Sequence, residues 1–131
     1  MSAPSTRGYV LAFDFGLRHI GVASGQTVTG TATPLITLRA RHGRPDWAAV
    51  AELAASWRPL YLLVGLPLNM DDTESDMSER AREFAAALER HTGIPCLLVD
   101  ERLTSRAARE YGGEHAAAAA LIAETWLNQR G

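Results

Sequence analysis

Tyr9-Val10-Leu11-Ala12-Phe13-Asp14-Phe15-Gly16 is the stretch from which the rest of the chain is read. Tyr9 to Phe13 are apolar without alternation, and the run stops at Asp14. A short run of that kind predicts a strand covered on both faces. Its end reads in two ways. Asp14 with Gly16 favours a turn, or it places a carboxylate at a strand terminus, where the sites of open α/β sheets lie.

Working outward, His19 to Ser24 and Thr33 to Leu38 read as a second and a third strand. Gly16, Gly25 and Gly30 stand in or beside their connections, which predicts a hairpin meander. Arg39 to Arg44 reads as a polar loop. Pro45-Asp46 announces a helix in which Trp47, Val50, Leu53, Ala54 and Trp57 recur at three- and four-residue steps, ended by Pro59. Leu60 to Val64 is another buried strand, and Gly65 to Thr73 a loop. Ser75 opens a helix with Met77, Ala81, Phe84 and Leu88 on one stripe and Gly93 as its C-terminal cap. Ile94 to Val99 is the last strand. Thr104 caps a short helix to Tyr111, Gly112-Gly113 breaks it, and an Ala-rich helix runs from His115 to about Asn128. The order predicts an α/β protein, a mixed five-stranded sheet with helices on its faces. One domain is expected over residues 1–131, with the small polar residues Met1 to Arg7 flexible.

Composition narrows the function classes. The 131 residues are 47% hydrophobic and 21% charged, enough apolar surface to fold but too little chain for two good cores. A net charge of -2 argues against a protein that coats nucleic acid through bulk positive charge. All 13 basic residues are Arg, so a phosphate contact would come from a guanidinium fork. The single cysteine, Cys96, excludes an intramolecular disulfide. Met1 to Gly8 holds no apolar signal core, and no apolar run spans a bilayer, so a cytoplasmic protein without membrane contact is expected.

Three polar positions carry the candidate chemistry. Asp14 ends the first strand. Asp100-Glu101-Arg102 ends the last, where alternation sends neighbouring carboxylates to opposite faces. Glu114-His115 opens the final helix. Taken singly they read as a turn, a polar strand end and a solvated helix start. Taken together, Asp14, Glu101 and His115 make a ligand set for a divalent cation, Mg2+ or Mn2+, of the kind that serves phosphodiester cleavage. Asp14 and Glu101 are expected to face each other across neighbouring strands, with Asp14 bridging and Asp100 pointing away. Asp14-Phe15-Gly16 also matches the magnesium triplet of kinases, but the chain lacks a Gly-rich strand pair and a His-Arg-Asp loop. Nor can 131 residues supply the second lobe of a sugar-kinase-type ATPase.

Four ordered segments carry a resemblance: Leu11 to Gly16, Ile20-Gly21-Val22-Ala23, Val64 to Asp71, and Asp100-Glu101-Arg102-Leu103-Thr104. With the tail Ala117 to Leu127 they resemble the YqgF/RuvX family over nearly the whole chain. The resemblance implies a ribonuclease H-like fold related to Holliday-junction resolvases of the RuvC type. It also implies a metal-dependent nuclease that matures the 5′ end of 16S ribosomal RNA, with its acids at Asp14 and Glu101. The family usually opens the last helix with a third Asp. That position here is His115, which suits manganese better than magnesium. Glu114 beside it is the other candidate ligand, and a weakened site is the third reading.

Arg18, Asn69, Arg102 and Thr104 are candidate substrate contacts, each also readable as an ordinary surface or turn residue. Arg39, Arg41, His42 and Arg44 read either as a solvated loop or as a grip on a nucleic-acid backbone. Asp71 to Glu79 reads as solvated helix-start charge, and Trp47, Trp57 and Phe84 as core. The expected partner is nucleic acid, precursor ribosomal RNA before branched DNA, acted on by a monomer or homodimer. The other readings are a junction-cleaving DNA nuclease and a catalytically silent nucleic-acid-binding relative.

Overall fold

β1 (Tyr9–Asp14) runs between β2 (His19–Gln26), antiparallel to it, and β5 (Tyr61–Leu66), parallel to it. Val10, Leu11 and Ala12 are completely buried and Phe13 is 1% exposed, which is why the run shows no alternation. The computed structural model describes residues 7–67, 76–101 and 115–130. β3 (Thr31–Arg41) continues the meander antiparallel to β2, and β6 (Cys96–Asp100) lies parallel to β5.

The sheet order is β4-β3-β2-β1-β5-β6, six strands instead of the five expected. The additional strand is β4 (Arg44–Pro45), and it corrects the reading of Arg39 to Arg44 as a loop. β3 runs on to Arg41, the chain turns at His42 and Gly43, and Arg44 pairs back with Arg41. Both turn residues have positive φ, 53° and 80°, as a two-residue hairpin turn compatible with strand twist requires. A His-Gly pair does this less recognisably than Asn-Gly, so the polar composition reads as a loop.

Helices cover both faces. α1 (Trp47–Trp57) starts at Asp46, whose carboxylate accepts a hydrogen bond from the Ala48 N–H at 3.0 Å. Val50 of α1 and Ala81, Phe84, Ala85 and Leu88 of α2 (Asp76–Thr92) pack on Leu11, Phe13, Ile20, Val22, Leu62 and Val64. Gly93, at φ 72°, closes α2 with its N–H on the Glu89 carbonyl. The segment expected as a helix from Thr104 to Tyr111 lies outside the described residues.

The opposite face carries α3 (His115–Arg130) alone among the described helices. Ile122 and Ala123 pack on Val10, Ala12, Leu63 and Val99. Along β2 the positions facing α3 are Gly21, Ala23 and Gly25, and the helix answers with Ala119, Ala120 and Ala123. Small residues on both sides let the helix lie close to the sheet, which accounts for its Ala-rich sequence. At Gly21 the approach is tightest. A Cβ there would fall on the His115 carbonyl and 2.7 Å from the Ala116 nitrogen, backbone atoms that cannot rotate away. Gly21→Ala is therefore expected to lower the unfolding free energy by about 3 kcal/mol, read by urea denaturation. A loss below about 1 kcal/mol would mean that α3 is not seated on Gly21.

Candidate active site

The site is built where β1, β5 and β6 end. Val10 and Ala12 face α3, so alternation sends Asp14 to that face as well. Phe13 pairs with Val64, which brings Gly65 of β5 abreast of Asp14. Gly65 pairs in turn with Val99, and Glu101 follows two residues later, again on the α3 side. The two carboxyl groups are therefore not on neighbouring strands, as expected from the sequence, but on strands separated by β5. They meet because Gly65 carries no side chain. A Cβ there would stand 2.6 Å from Ile122 Cδ1 and 3.3 Å from Glu101 Cδ. The glycine is the gap through which Glu101 reaches Asp14.

Within that gap the Asp14 and Glu101 side chains are hydrogen-bonded to one another. Two carboxyl groups can do this only with a proton between them. Burial pushes Glu101 upward first, and the hydrogen bond and negative charge of Asp14 add to it, taking its pKa to about 8. Burial also raises Asp14, while the hydrogen bond from Glu101 opposes the rise. Glu101 is thus the member that holds the proton and donates it to the Asp14 carboxylate. Asp100 occupies the alternate position of β6 with Cys96, which packs on the α1 and α2 side.

His115 opens α3 and is exposed. Its ring stacks on His19, with centroids 5.1 Å apart and planes 20° from parallel. Among the described residues no three His, Cys, Asp or Glu side chains converge on a common cation position. The structure thus brings Asp14 and Glu101 together, but it does not gather His115 with them into a three-ligand group. Arg18 is exposed in the turn between β1 and β2, where its carbonyl accepts from Ala40 N–H at 2.8 Å. Asn69, Arg102, Thr104 and Glu114 lie outside the described residues. Cys96 offers no nucleophile, because burial and the Glu89 carboxylate push its thiol up to about 12. Sequence reasoning missed two residues here. Gly65 looks like the start of a loop, and His19 like an ordinary strand start. The signal for His19 is its spacing from Gly21, which puts it on the face of β2 that meets α3.

A pair of oxygen donors is the chemistry a hard divalent cation takes, and here they already converge on one proton. Asp14 and Glu101 are the residues that would hold such a cation, and it would supply positive charge at this end of the sheet.

The shared proton makes stability depend on pH. Glu101 binds its proton more tightly folded than unfolded, so the folded chain carries the extra proton between about pH 4.5 and 8. Stability is expected to be full below that window and to fall as pH rises through it. With allowance for partial solvent access the loss is about 1–2 kcal/mol. Glu101→Gln should flatten this dependence in thermal melts at pH 5 and 8.5 without divalent cations. An unaltered slope would place the titration elsewhere. Gly65→Ala should fold, since the atoms it meets are side-chain ends, and should flatten the same slope by separating the pair.

The sequence profile of the RuvX family, described as Holliday junction resolvase, matches residues 8–129. A protein of Marinobacter nauticus named "Putative pre-16S rRNA nuclease" is 49% identical, over 92% of this chain and 93% of its own. One of Azotobacter vinelandii with the same name is 47% identical, over 92% and 94%. Among solved structures, T. thermophilus RuvC in complex with Holliday junction substrate superposes with a TM-score of 0.65. That likeness spans 94% of this chain and 95% of RuvC at 18% identity, and it is one of fold. Among the described residues no helix is long and apolar enough to cross a membrane. The strand order, the paired acids at the sheet end and a family match spanning residues 8–129 lead to one assignment: the chain belongs to the RuvX family of nucleases.

Proposed function

We propose that this protein is a cytoplasmic, divalent-cation-dependent endonuclease that cleaves structured RNA and trims precursor 16S ribosomal RNA at its 5′ end. The observation that carries the proposal is the proton-sharing pair Asp14 and Glu101, half-buried where β1 and β6 end. Two neighbouring carboxyl groups with raised pKa values are the usual equipment for binding a cation or moving a proton. The names of relatives 43–49% identical support the choice of RNA.

In this reading Asp14 and Glu101, once deprotonated, hold Mg2+ or Mn2+. When bound, the cation supplies the positive charge that polarises the phosphate and offsets charge developing on the leaving oxygen. Water adds to phosphorus, one phosphorus–oxygen ester bond breaks, and the released oxygen takes up a proton. Asp14 and Glu101 act here as the groups that hold the cation against the phosphate, and the proton lost by the water passes to solvent. Arg18 is proposed to hold a neighbouring phosphate, with Asn69, Arg102 and Thr104 as further substrate contacts. His115, stacked on His19 and not gathered with the two acids in this structure, is proposed as a third ligand. Its contribution is therefore expected to be smaller than that of either acid.

The test is cleavage of a precursor 16S RNA fragment and of a four-way DNA junction, each with Mg2+ and with Mn2+. Asp14→Asn and Glu101→Gln should each lower the rate by about 10³-fold or more, with thermal stability kept. His115→Ala should lower it by no more than about tenfold. At limiting cation concentration the rate should rise with pH between 6 and 8, because the cation competes with the proton held by the pair. Unchanged cleavage by Asp14→Asn would place the chemistry elsewhere. Cleavage of the junction but not the RNA would replace RNA processing with junction resolution.

A further inference from the structure

The described residues hold a groove of about 340 Å³ on the face opposite the carboxylate pair. The β3–β4 turn forms one wall with His42 and Arg44, and α2 forms the other with Arg80, Arg90 and His91. Arg44, Arg80 and Arg90 are all exposed, and Glu83 is the one acid among the described lining residues. An adjoining recess adds Arg41 to His42, Arg44 and Arg80. A chain with a net charge of -2 has thus concentrated cations along one channel.

The channel also has an aromatic side. Phe84, buried, stacks on half-buried Trp47 at 6.1 Å and 27°. Trp47 stacks in turn on exposed His91 at 4.0 Å and 9°. The stack therefore runs from the core to solvent and ends on a flat ring that a nucleobase would extend. Arg80 and Arg90 stand ten residues apart on α2, about 15 Å along its axis, which suits a run of phosphates better than a single small anion. All the strong cations are guanidinium groups, whose fork matches phosphate oxygens.

The groove also connects with the site. Phe15, which lines it, directly follows Asp14. The β3–β4 turn rests on that ring, so close that a Cβ at Gly43 would come within 2.7 Å of Phe15 Cζ. At the end of β1 successive side chains thus serve the two faces, Asp14 the carboxylate pair and Phe15 the groove.

We propose that this groove binds the phosphodiester backbone of a single-stranded RNA segment flanking the scissile bond, with His91 stacking one of its bases. The proposal rests on the nuclease reading for the word scissile, but the groove's binding is separable from cleavage. A strand lying between the hairpin and α2 rounds the end of the sheet at Phe15 and arrives at Asp14 and Glu101. Phosphate contacts hold it in register without reading its sequence.

The experiment titrates the full chain against a fluorescein-labelled 12-nucleotide single-stranded RNA in EDTA, where no cleavage occurs, at several salt concentrations. The triple variant Arg44→Gln, Arg80→Gln, Arg90→Gln should bind at least tenfold more weakly near 0.1 M salt. Its log–log salt slope should be smaller by about 2, because three phosphate contacts no longer release counterions. His91→Ala should weaken binding several-fold with the slope unchanged, and Glu83→Gln should tighten it. Circular dichroism checks that each variant is folded. Parent-like affinity and slope in the triple variant would overturn the groove, whatever the protein cleaves. If the triple variant loses binding while the parent cleaves no RNA with Mg2+ or Mn2+, the groove stands and the nuclease reading fails.

Discussion

Asp14 and Glu101 reach one another across a strand that lies between them, and most of the architecture serves that contact. β1, β5 and β6 must keep register so that Asp14, Gly65 and the residue two beyond Val99 fall in one row. Gly65 must lack a side chain, and Ile122 must close the row from above without filling it. Ile122 stands correctly only if α3 is seated on β2, and that seat depends on Gly21. The helices on the other face hold Phe13 and Val64 in place, and with them the parallel pairing of β1 and β5. Two close approaches, at Gly21 and Gly65, thus turn a generic mixed sheet into a site.

The pair is destabilising in itself. Each carboxyl group is pushed away from its charged form by burial, and Glu101 additionally by its neighbour. The strand pairing and packing around it hold the two groups together despite that repulsion, and one proton relieves the charge. In the proposed nuclease, a divalent cation held by the two acids would relieve the same charge. The groove on the far face answers a different need. In the proposed reading two acids at a cleavage site would repel a polyanion, and the arginines of the β3–β4 hairpin and α2 would supply attraction at a distance from it.

Much of this is legible in the sequence because burial writes simple patterns. The apolar run from Tyr9 to Phe13 marks a strand covered on both faces, and the three- and four-residue spacing of Trp47, Val50 and Leu53 marks a helix. The two acids are legible because each ends such a strand, and four ordered segments together point to the family. The rest depends on contacts distant in sequence. Nothing local shows that Gly65 belongs to a strand and makes room for a side chain from β6. Nothing local shows that His42-Gly43 folds Arg44 back onto Arg41, so the sixth strand reads as a loop. His115 looks like the third ligand because it stands where an acid usually does. Its partner in the structure, His19, lies on a strand about a hundred residues earlier, and only the seating of α3 brings the rings together. Trp47 reads as core from its spacing, and the structure shows that it is also the middle of a stack reaching solvent.

The central claim is that a divalent cation replaces the proton shared by Asp14 and Glu101. The most direct measurement is the number of protons released when Mg2+ or Mn2+ binds. Calorimetric titrations at pH 7 in buffers of different ionisation enthalpy give that number. With Glu101 near 8, the account predicts release of most of one proton per cation by the parent protein. It predicts little or no release by Glu101→Gln. Cation binding without proton release by the parent, or the same release by Glu101→Gln, would contradict it.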